Sequence, residues 1–440
     1  DKGVHLSRTA RLSYLGLFLI TTITAGVFRD VAPEQFAGMD FISKNMACPA
    51  DRATPTCMAR AFVLRMCFAH VVFHGILALA TIGADDLSNV RSTIHTHMWV
   101  VKTVLWGLAH VTTLFMPSAF FLDFGWIALV AGVFFLLVQV VLYIDWIYAI
   151  NEGWIEKDGT DNVTGPWHML IAGISLFGFT VAIALTVVMY QWFGHPTGDS
   201  TSDCGMYTFF TTFNLIMWVL LTGVSFKATE WMPSTGLMPS AMVSAFMSFK
   251  VLMALYSQNQ CNDLSANVSV YKGPPQVIGA ISIMIAVVLA AYNSVWISGS
   301  MEATANREKA LAAPQVAPAP IAQVPNAAEP ASADKDRQYP LLSDVQLETV
   351  NSQDVEAQAP KDEALSGPIG YNIAAFHASF LMGMCYVAMQ LTNWNEDFQK
   401  DHIDNSTSSM WIKVVDSWIL ALAYGWSMMA PKILSGREFV

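Results

Sequence analysis

The chain has 440 residues, 54% of them hydrophobic and only 13% charged, with a formal net charge of −11 and a mean hydropathy of +0.43. Soluble domains carry about 25% charged residues, so half that share cannot coat a water-soluble particle of this size; a soluble enzyme is excluded and a multi-pass membrane protein is expected. The acidic balance excludes a nucleic-acid binder, which needs a basic face, and six cysteines are too few for a disulfide-built scaffold.

Ten stretches are long and apolar enough to cross a bilayer as helices, which takes about 20 residues each. They are Leu12–Phe28, Ala61–Ile82, Met98–Met116, Phe124–Ile150, Met169–Phe193, Met206–Phe226, Met238–Ser257, Gln276–Ser298, Tyr371–Leu391 and Trp411–Ile433. None alternates with period two, which excludes a β-barrel. Backbone groups in lipid must then be satisfied within helices, and an all-α bundle follows. No secretory signal peptide is read ahead of the first stretch.

The second stretch carries Arg65 and, four residues apart, His70 and His74; His110 lies in the third. A haem needs two axial ligands and a metal site three or four. No carboxylate or thiolate pattern completes such a set. We therefore assign no metal and no cofactor, and read the histidines as hydrogen-bonded intramembrane groups.

The fourth stretch is 27 residues, about 40 Å of helix against a hydrocarbon core of about 30 Å. Such a mismatch is relieved by tilt, and a long tilted helix is expected here. Asp145 and Glu152 share a face at its C-terminal end, where the helix dipole disfavours anions. A cationic partner is expected. Lys102, at a similar depth in the third stretch, is the first candidate, and Arg91 and Lys157 are the alternatives.

Intramembrane charges cost a few kcal/mol each and need a partner or a water-filled path. Arg65, Lys102, Asp145, Lys250, Lys413 and Asp416 form that set here. In one account they are buried ion pairs or snorkelling side chains that fix the bundle. In the other they line or support a groove that replaces the lost hydration of a crossing phospholipid headgroup. With Glu152 added, these seven are the lipid-path candidates.

Residues 299–370 are the composition break. The run from Ala312 to Pro330 is built mainly from Ala, Pro, Gln and Val, and residues 299–368 carry 11 acidic and 5 basic side chains. Such a segment cannot bury enough apolar surface to offset its ordering entropy, so a disordered cytoplasmic loop is expected. Tyr339-Pro340-Leu341-Leu342 within it has the shape of a tyrosine-based sorting signal. The organisation read from sequence is thus spans one to eight over residues 1–298, the loop over 299–370, and spans nine and ten over 371–440.

Ten crossings place both termini on one side. With the N-terminus inside, 13 Lys/Arg fall in inside segments, counting Lys432 at the inner end of the tenth span with the C-terminal tail, and 6 in outside ones, which leans the orientation that way. Cys48, Cys57, Cys204 and Cys261 then all fall outside, where an oxidising space permits disulfides. Four cysteines allow three pairings; Cys48–Cys57 with Cys204–Cys261 is the favoured one, and free thiols are the alternative. Of three glycosylation sequons, Asn267 and Asn405 lie outside and Asn162 inside. An endomembrane or plasma-membrane location is expected, with another organelle membrane as the alternative.

Several segments resemble one known family. Gln139-Val-Val-Leu-Tyr-Ile-Asp145, followed by Asn151-Glu152-Gly153-Trp154, is similar to the Q-L-V-L-L-x-D…W-N-E-S-W segment of the serine incorporator proteins. Ser234-Thr235-Gly236-Leu237, Tyr256-Ser257 and Cys261-Asn262 resemble that family's S-G-L-L…S…C-N segment. Leu391-Thr392-Asn393-Trp394, Trp411-Ile412-Lys413, Ser417-Trp418, Ala430-Pro431 and Arg437-Glu438-Phe439 follow in family order. The chain departs from the family in lacking the cysteine-rich N-terminal stretch of animal members. It also carries Lys250 where relatives usually have an uncharged residue, and Asp263 in place of a proline.

The resemblance implies ten helices in two lobes around a long diagonal helix. It also implies a role in serine-lipid metabolism, lipid scrambling or reduced infectivity of enveloped viruses. No nucleotide-binding motif, nucleophile elbow or zinc-protease motif is present, so the chain is not read as an enzyme. Membrane phospholipids are the expected partners, with passive phosphatidylserine transport as the leading function. A scaffold for serine-lipid enzymes and an accessory subunit of a larger membrane complex are the rivals, and homo-oligomers are compatible with all three.

Overall fold

A computed structural model of the chain describes residues 2–36, 39–52, 56–84, 89–158, 164–194, 203–232, 234–257, 261, 372–395 and 406–434. The eighth predicted span, the 299–370 loop and the sequons Asn162, Asn267 and Asn405 lie outside the described residues.

The described residues form eleven α-helices and no strand. In chain order they are α1 (Lys2–Phe36), α2 (Asp40–Met46), α3 (Cys57–Ala80), α4 (Val90–Thr96), α5 (Trp99–Thr113), α6 (Ser118–Asp158), α7 (Pro166–Phe193), α8 (Gly205–Ala228), α9 (Leu237–Tyr256), α10 (Ile373–Leu391) and α11 (Thr407–Ile433). Seven of them, α1, α3 and α6 to α10, are long and apolar enough to cross a membrane. The ten expected crossings are therefore not all reproduced by that measure. At 15 residues, α5 is only about 22 Å long. Asp416, Ser417, Tyr424 and Ser427 make α11 more polar.

Local chemistry sets several helix starts. The side chains of Asn89, Asn372 and Ser406 accept from the main-chain N–H groups of Arg91, Ala375 and Ser409, filling donors that a helix start leaves unmet. Pro166 opens α7 at a position where its missing N–H costs nothing.

The helices pack as two lobes. One core joins α1, α3, α10 and the first half of α6 through Tyr14, Phe18, Leu64, Phe135, Phe376 and Met384. The other joins the second half of α6 to α7, α8, α9 and α11 through Val140, Ile147, Val243, Met247, Leu420 and Tyr424, and it continues into a cluster around the Cys204–Cys261 bond. Close approach relies on small residues: a Cβ on Gly178 of α7 would stand 3.0 Å from the Ala241 carbonyl oxygen of α9.

Helix α6 is shared by both lobes. Its 41 residues measure roughly 60 Å, against the 27-residue span read from hydropathy. Nothing between Ser118 and Asp158 breaks the helix, so it runs on past the apolar stretch at both ends.

Both favoured disulfides form, Cys48–Cys57 with Cα atoms 6.2 Å apart and Cys204–Cys261 with Cα atoms 6.0 Å apart. Tracing the helices puts both bonds at one end of the bundle. The α3–α4 and α6–α7 connections lie at the other.

Candidate functional site

The charged candidates separate into three groups. Near the disulfide end of the first lobe, Arg65 is fully buried. Its Nε donates to Thr113 O at 3.1 Å, and its Nη2 donates to Asn45 O and Met116 O at 2.9 Å each and to Ser118 Oγ at 3.1 Å. One guanidinium thereby ties α3 to the last turn of α2 and to the α5–α6 turn, and its fork geometry suits several carbonyls at once.

Lys102, at the opposite end of the same lobe, does not pair with Asp145 as expected. Its Nζ donates to His95 O at 2.8 Å and to Tyr14 Oη at 2.9 Å, and it sits 3.6 Å from the centroid of the Trp99 ring. These groups seal the ammonium within lobe one. The alternative partners are also turned elsewhere: Arg91 donates to Ile82 O, and Lys157 lies 4.1 Å over the Trp167 ring. Equal depth along two helices does not fix the direction in which each side chain points.

Between Arg65 and Lys102 lies a histidine cluster larger than the His70–His74 spacing indicated. The Nδ1 atoms of His74 and His377 are 2.9 Å apart, and His377 Nε2 is 3.0 Å from His95 Nδ1. Thr21 Oγ1 lies 3.0 Å from His70 Nδ1 and 3.5 Å from His110 Nε2. The rings of His70 and His74 have centroids 4.6 Å apart. Burial, then Lys102 and Arg11, push His95 on the short helix α4 down to about 3. Among the described residues, no three His, Cys, Asp or Glu side chains form a metal-binding group.

The second lobe buries an ion pair between Lys250 of α9 and Asp416 of α11. Lys413 donates from Nζ to Ser257 Oγ at 2.7 Å, and Asn214 Nδ2 donates to Ser248 Oγ at 3.1 Å. These groups stitch α8, α9 and α11 together.

Asp145 and Glu152 differ from the others in being exposed. They continue a stripe along α6 whose upper part is apolar: Trp126, Val130, Phe134, Leu137 and Val141 are exposed at helical spacing. The acidic end of the stripe is flanked by an interface anchor. Trp154 and Trp167 have ring centroids 6.0 Å apart, and Lys157 lies on the latter, a combination suited to the headgroup level of a bilayer. Asp158 Oδ2 accepts from the main-chain N–H of His168 at 2.8 Å, fastening the end of α6 to the start of α7.

Two of the segments singled out in the sequence meet at that end of α6. Asn151 Nδ2 donates to Ser234 O at 2.9 Å, joining the Asn-Glu-Gly-Trp and Ser-Thr-Gly-Leu segments. Gly236, with φ of +140°, takes a conformation suited to glycine alone, and its N–H donates to Ser225 Oγ at 3.1 Å. A family model described as serine incorporator matches residues 2–437. The chain belongs to the serine incorporator family.

Similar proteins include a probable serine incorporator of Monosiga brevicollis, 28% identical over 98% of this chain and 92% of that protein. Serine incorporator 3 of Bos taurus is 25% identical over 86% and 79%. Membrane protein TMS1 of Saccharomyces cerevisiae is 26% identical over 90% and 85%. This serine incorporator is a multi-pass integral membrane protein with two disulfides at one end of a two-lobed helical bundle.

Proposed function

We propose that this serine incorporator is a passive phospholipid transporter, and that the exposed face of α6 is the surface along which lipid moves. The observation that carries the reading is the stripe from Trp126 to Glu152, apolar along most of its length and acidic at one end. Acyl chains lie against Phe134, Leu137 and Val141. The carboxylates of Asp145 and Glu152, about 10 Å apart along the axis, meet the ammonium of a headgroup such as that of phosphatidylserine. A carboxylate below the headgroup level offers that ammonium a partner where water is scarce, which lowers the cost of leaving the interface.

Arg65, Lys102, Lys250, Lys413 and Asp416 act in this reading as supports. Their bonds hold the two lobes rigid on either side of α6. The movement is downhill, and no catalytic step is assigned to the chain.

The test is a flip assay on purified protein in vesicles containing fluorescent phosphatidylserine. Loss of outer-leaflet fluorescence should extend beyond the half accessible to a membrane-impermeant quencher. Quenching that stops at half, as in protein-free vesicles, contradicts the reading. In that case the buried bonds favour an accessory subunit, which stoichiometric co-purification with a membrane complex would reveal.

A further inference from the structure

The histidines of lobe one take no part in the lipid reading, and they stand in file. From one end to the other the order is His110, Thr21, His70, His74, His377 and His95, drawn from α5, α1, α3, α10 and α4. We propose that this file is a proton relay through lobe one, a function separate from lipid movement.

The hydrogen-bonding roles define the direction. His110 Nδ1 is 2.8 Å from Trp106 O; a carbonyl only accepts, so Nδ1 carries the proton and Nε2 is bare. Trp106 Nε1 donates to His70 Nδ1 at 3.4 Å; an indole only donates, so neutral His70 holds its proton on Nε2. A neutral imidazole has one donor and one acceptor, so His377, bonded through both nitrogens, accepts from one neighbour and donates to the other. The chain His74 to His377 to His95 therefore has two proton arrangements of opposite direction.

Passage is a series of single hops. A proton arriving at His110 Nε2 moves to Thr21 Oγ1, whose own proton, donated at rest to Leu17 O at 3.0 Å, turns to His70 Nδ1. His70 then releases the proton on Nε2 towards His74 Nε2. Both of these Nε2 atoms are buried and have no hydrogen-bond partner among the described residues; the rings are adjacent, and the relay takes one water between them. His74 passes the proton on its Nδ1 to His377 Nδ1, and His377 passes the one on its Nε2 to His95 Nδ1. His95, now protonated on Nδ1, releases the proton on its Nε2 at that end of the lobe; one proton enters at His110, one leaves from His95, nothing is oxidised or reduced, and the rings reset by return of the tautomers.

The charges around the file keep it a relay and not a store. Lys102 of α5 and Arg11 of α1 act on His95 as neighbouring positive charges, and Tyr14 of α1 stacks on its ring. At the far end Arg65 of α3 bonds Thr113 O, one turn beyond His110. A cation at each end disfavours a resident imidazolium, so a proton passes without lodging.

The experiment is proton uptake into vesicles holding the full chain, a trapped pH dye and a potassium gradient, started with valinomycin. Uptake should exceed that of protein-free vesicles several-fold. His377→Gln, which keeps a donor and an acceptor but cannot pass a proton through its side chain, should return it to background, whereas Tyr148→Phe in lobe two should leave it unchanged. Background uptake in the folded wild-type protein, or equal uptake with His377→Gln, overturns the relay. Should His377→Gln fail to fold, nitrogen NMR of wild-type protein with labelled histidine decides. Exchange of His377 between its two tautomers is expected, and a single fixed tautomer from pH 5 to pH 8 overturns the proposal. Lipid flip in the same vesicles is read separately, so the failure of either function leaves the other standing.

Discussion

Asn151 holds Ser234 at the end of α6: the amide Nδ2 donates to the serine carbonyl at 2.9 Å, and Asn151 is itself buried. Glu152, the next residue, is exposed, so this bond fixes the acidic end of the α6 face against lobe two. Asn151→Leu removes the donor and leaves a buried carbonyl unmet. The expected loss is about 1–3 kcal/mol, read as a lower unfolding temperature of the purified protein in detergent.

Lys250→Met strands the Asp416 carboxylate, which is buried and has Lys250 as its ion-pair partner. Breaking a buried pair from one side costs about 3–5 kcal/mol, whereas replacing both partners with apolar residues of similar volume is often neutral. The double variant Lys250→Met, Asp416→Leu is therefore expected to melt well above the single variant Lys250→Met. Thermal unfolding of both proteins checks this ordering.

Arg65→Lys keeps the charge but loses the fork that reaches Thr113, Asn45, Met116 and Ser118 together. A single ammonium cannot span those acceptors, and a loss of about 2–3 kcal/mol is expected. Limited proteolysis should show earlier cleavage between residues 39 and 52, the segment that Arg65 anchors through Asn45.

The two disulfides close loops of very different size, with sequence separations of 9 and 57. In the chain-entropy account the longer loop is worth about 4 kcal/mol and the shorter about 2–3 kcal/mol. Cys204→Ser with Cys261→Ser should therefore lower the unfolding temperature more than Cys48→Ser with Cys57→Ser.

The helical class and the long fourth span were legible because apolar runs of span length have few other uses. The cysteine pairing was favoured because the four residues fell in loops on one side. Partnership between distant side chains was not legible. His74 meets His377 across 303 positions and Lys250 meets Asp416 across 166, and periodicity within one helix carries no information about the facing helix. Lys102 and Asp145 show the same limit: a matching depth suggested a pair, but rotation about each helix axis turned one inward and the other outward. His377 had no local pattern to mark it.

The account depends most on Asp145 and Glu152 receiving a lipid headgroup on the exposed side of α6. Asp145→Asn with Glu152→Gln removes both charges but keeps side-chain size and a carbonyl oxygen on each residue, and its unfolding temperature is read beside that of wild type. The deciding measurement is the phosphatidylserine flip rate of that double variant beside wild type in the same vesicles. A fall of about tenfold, a barrier change of about 1.4 kcal/mol, is the predicted result. An unchanged rate in a variant with wild-type unfolding temperature would contradict the account.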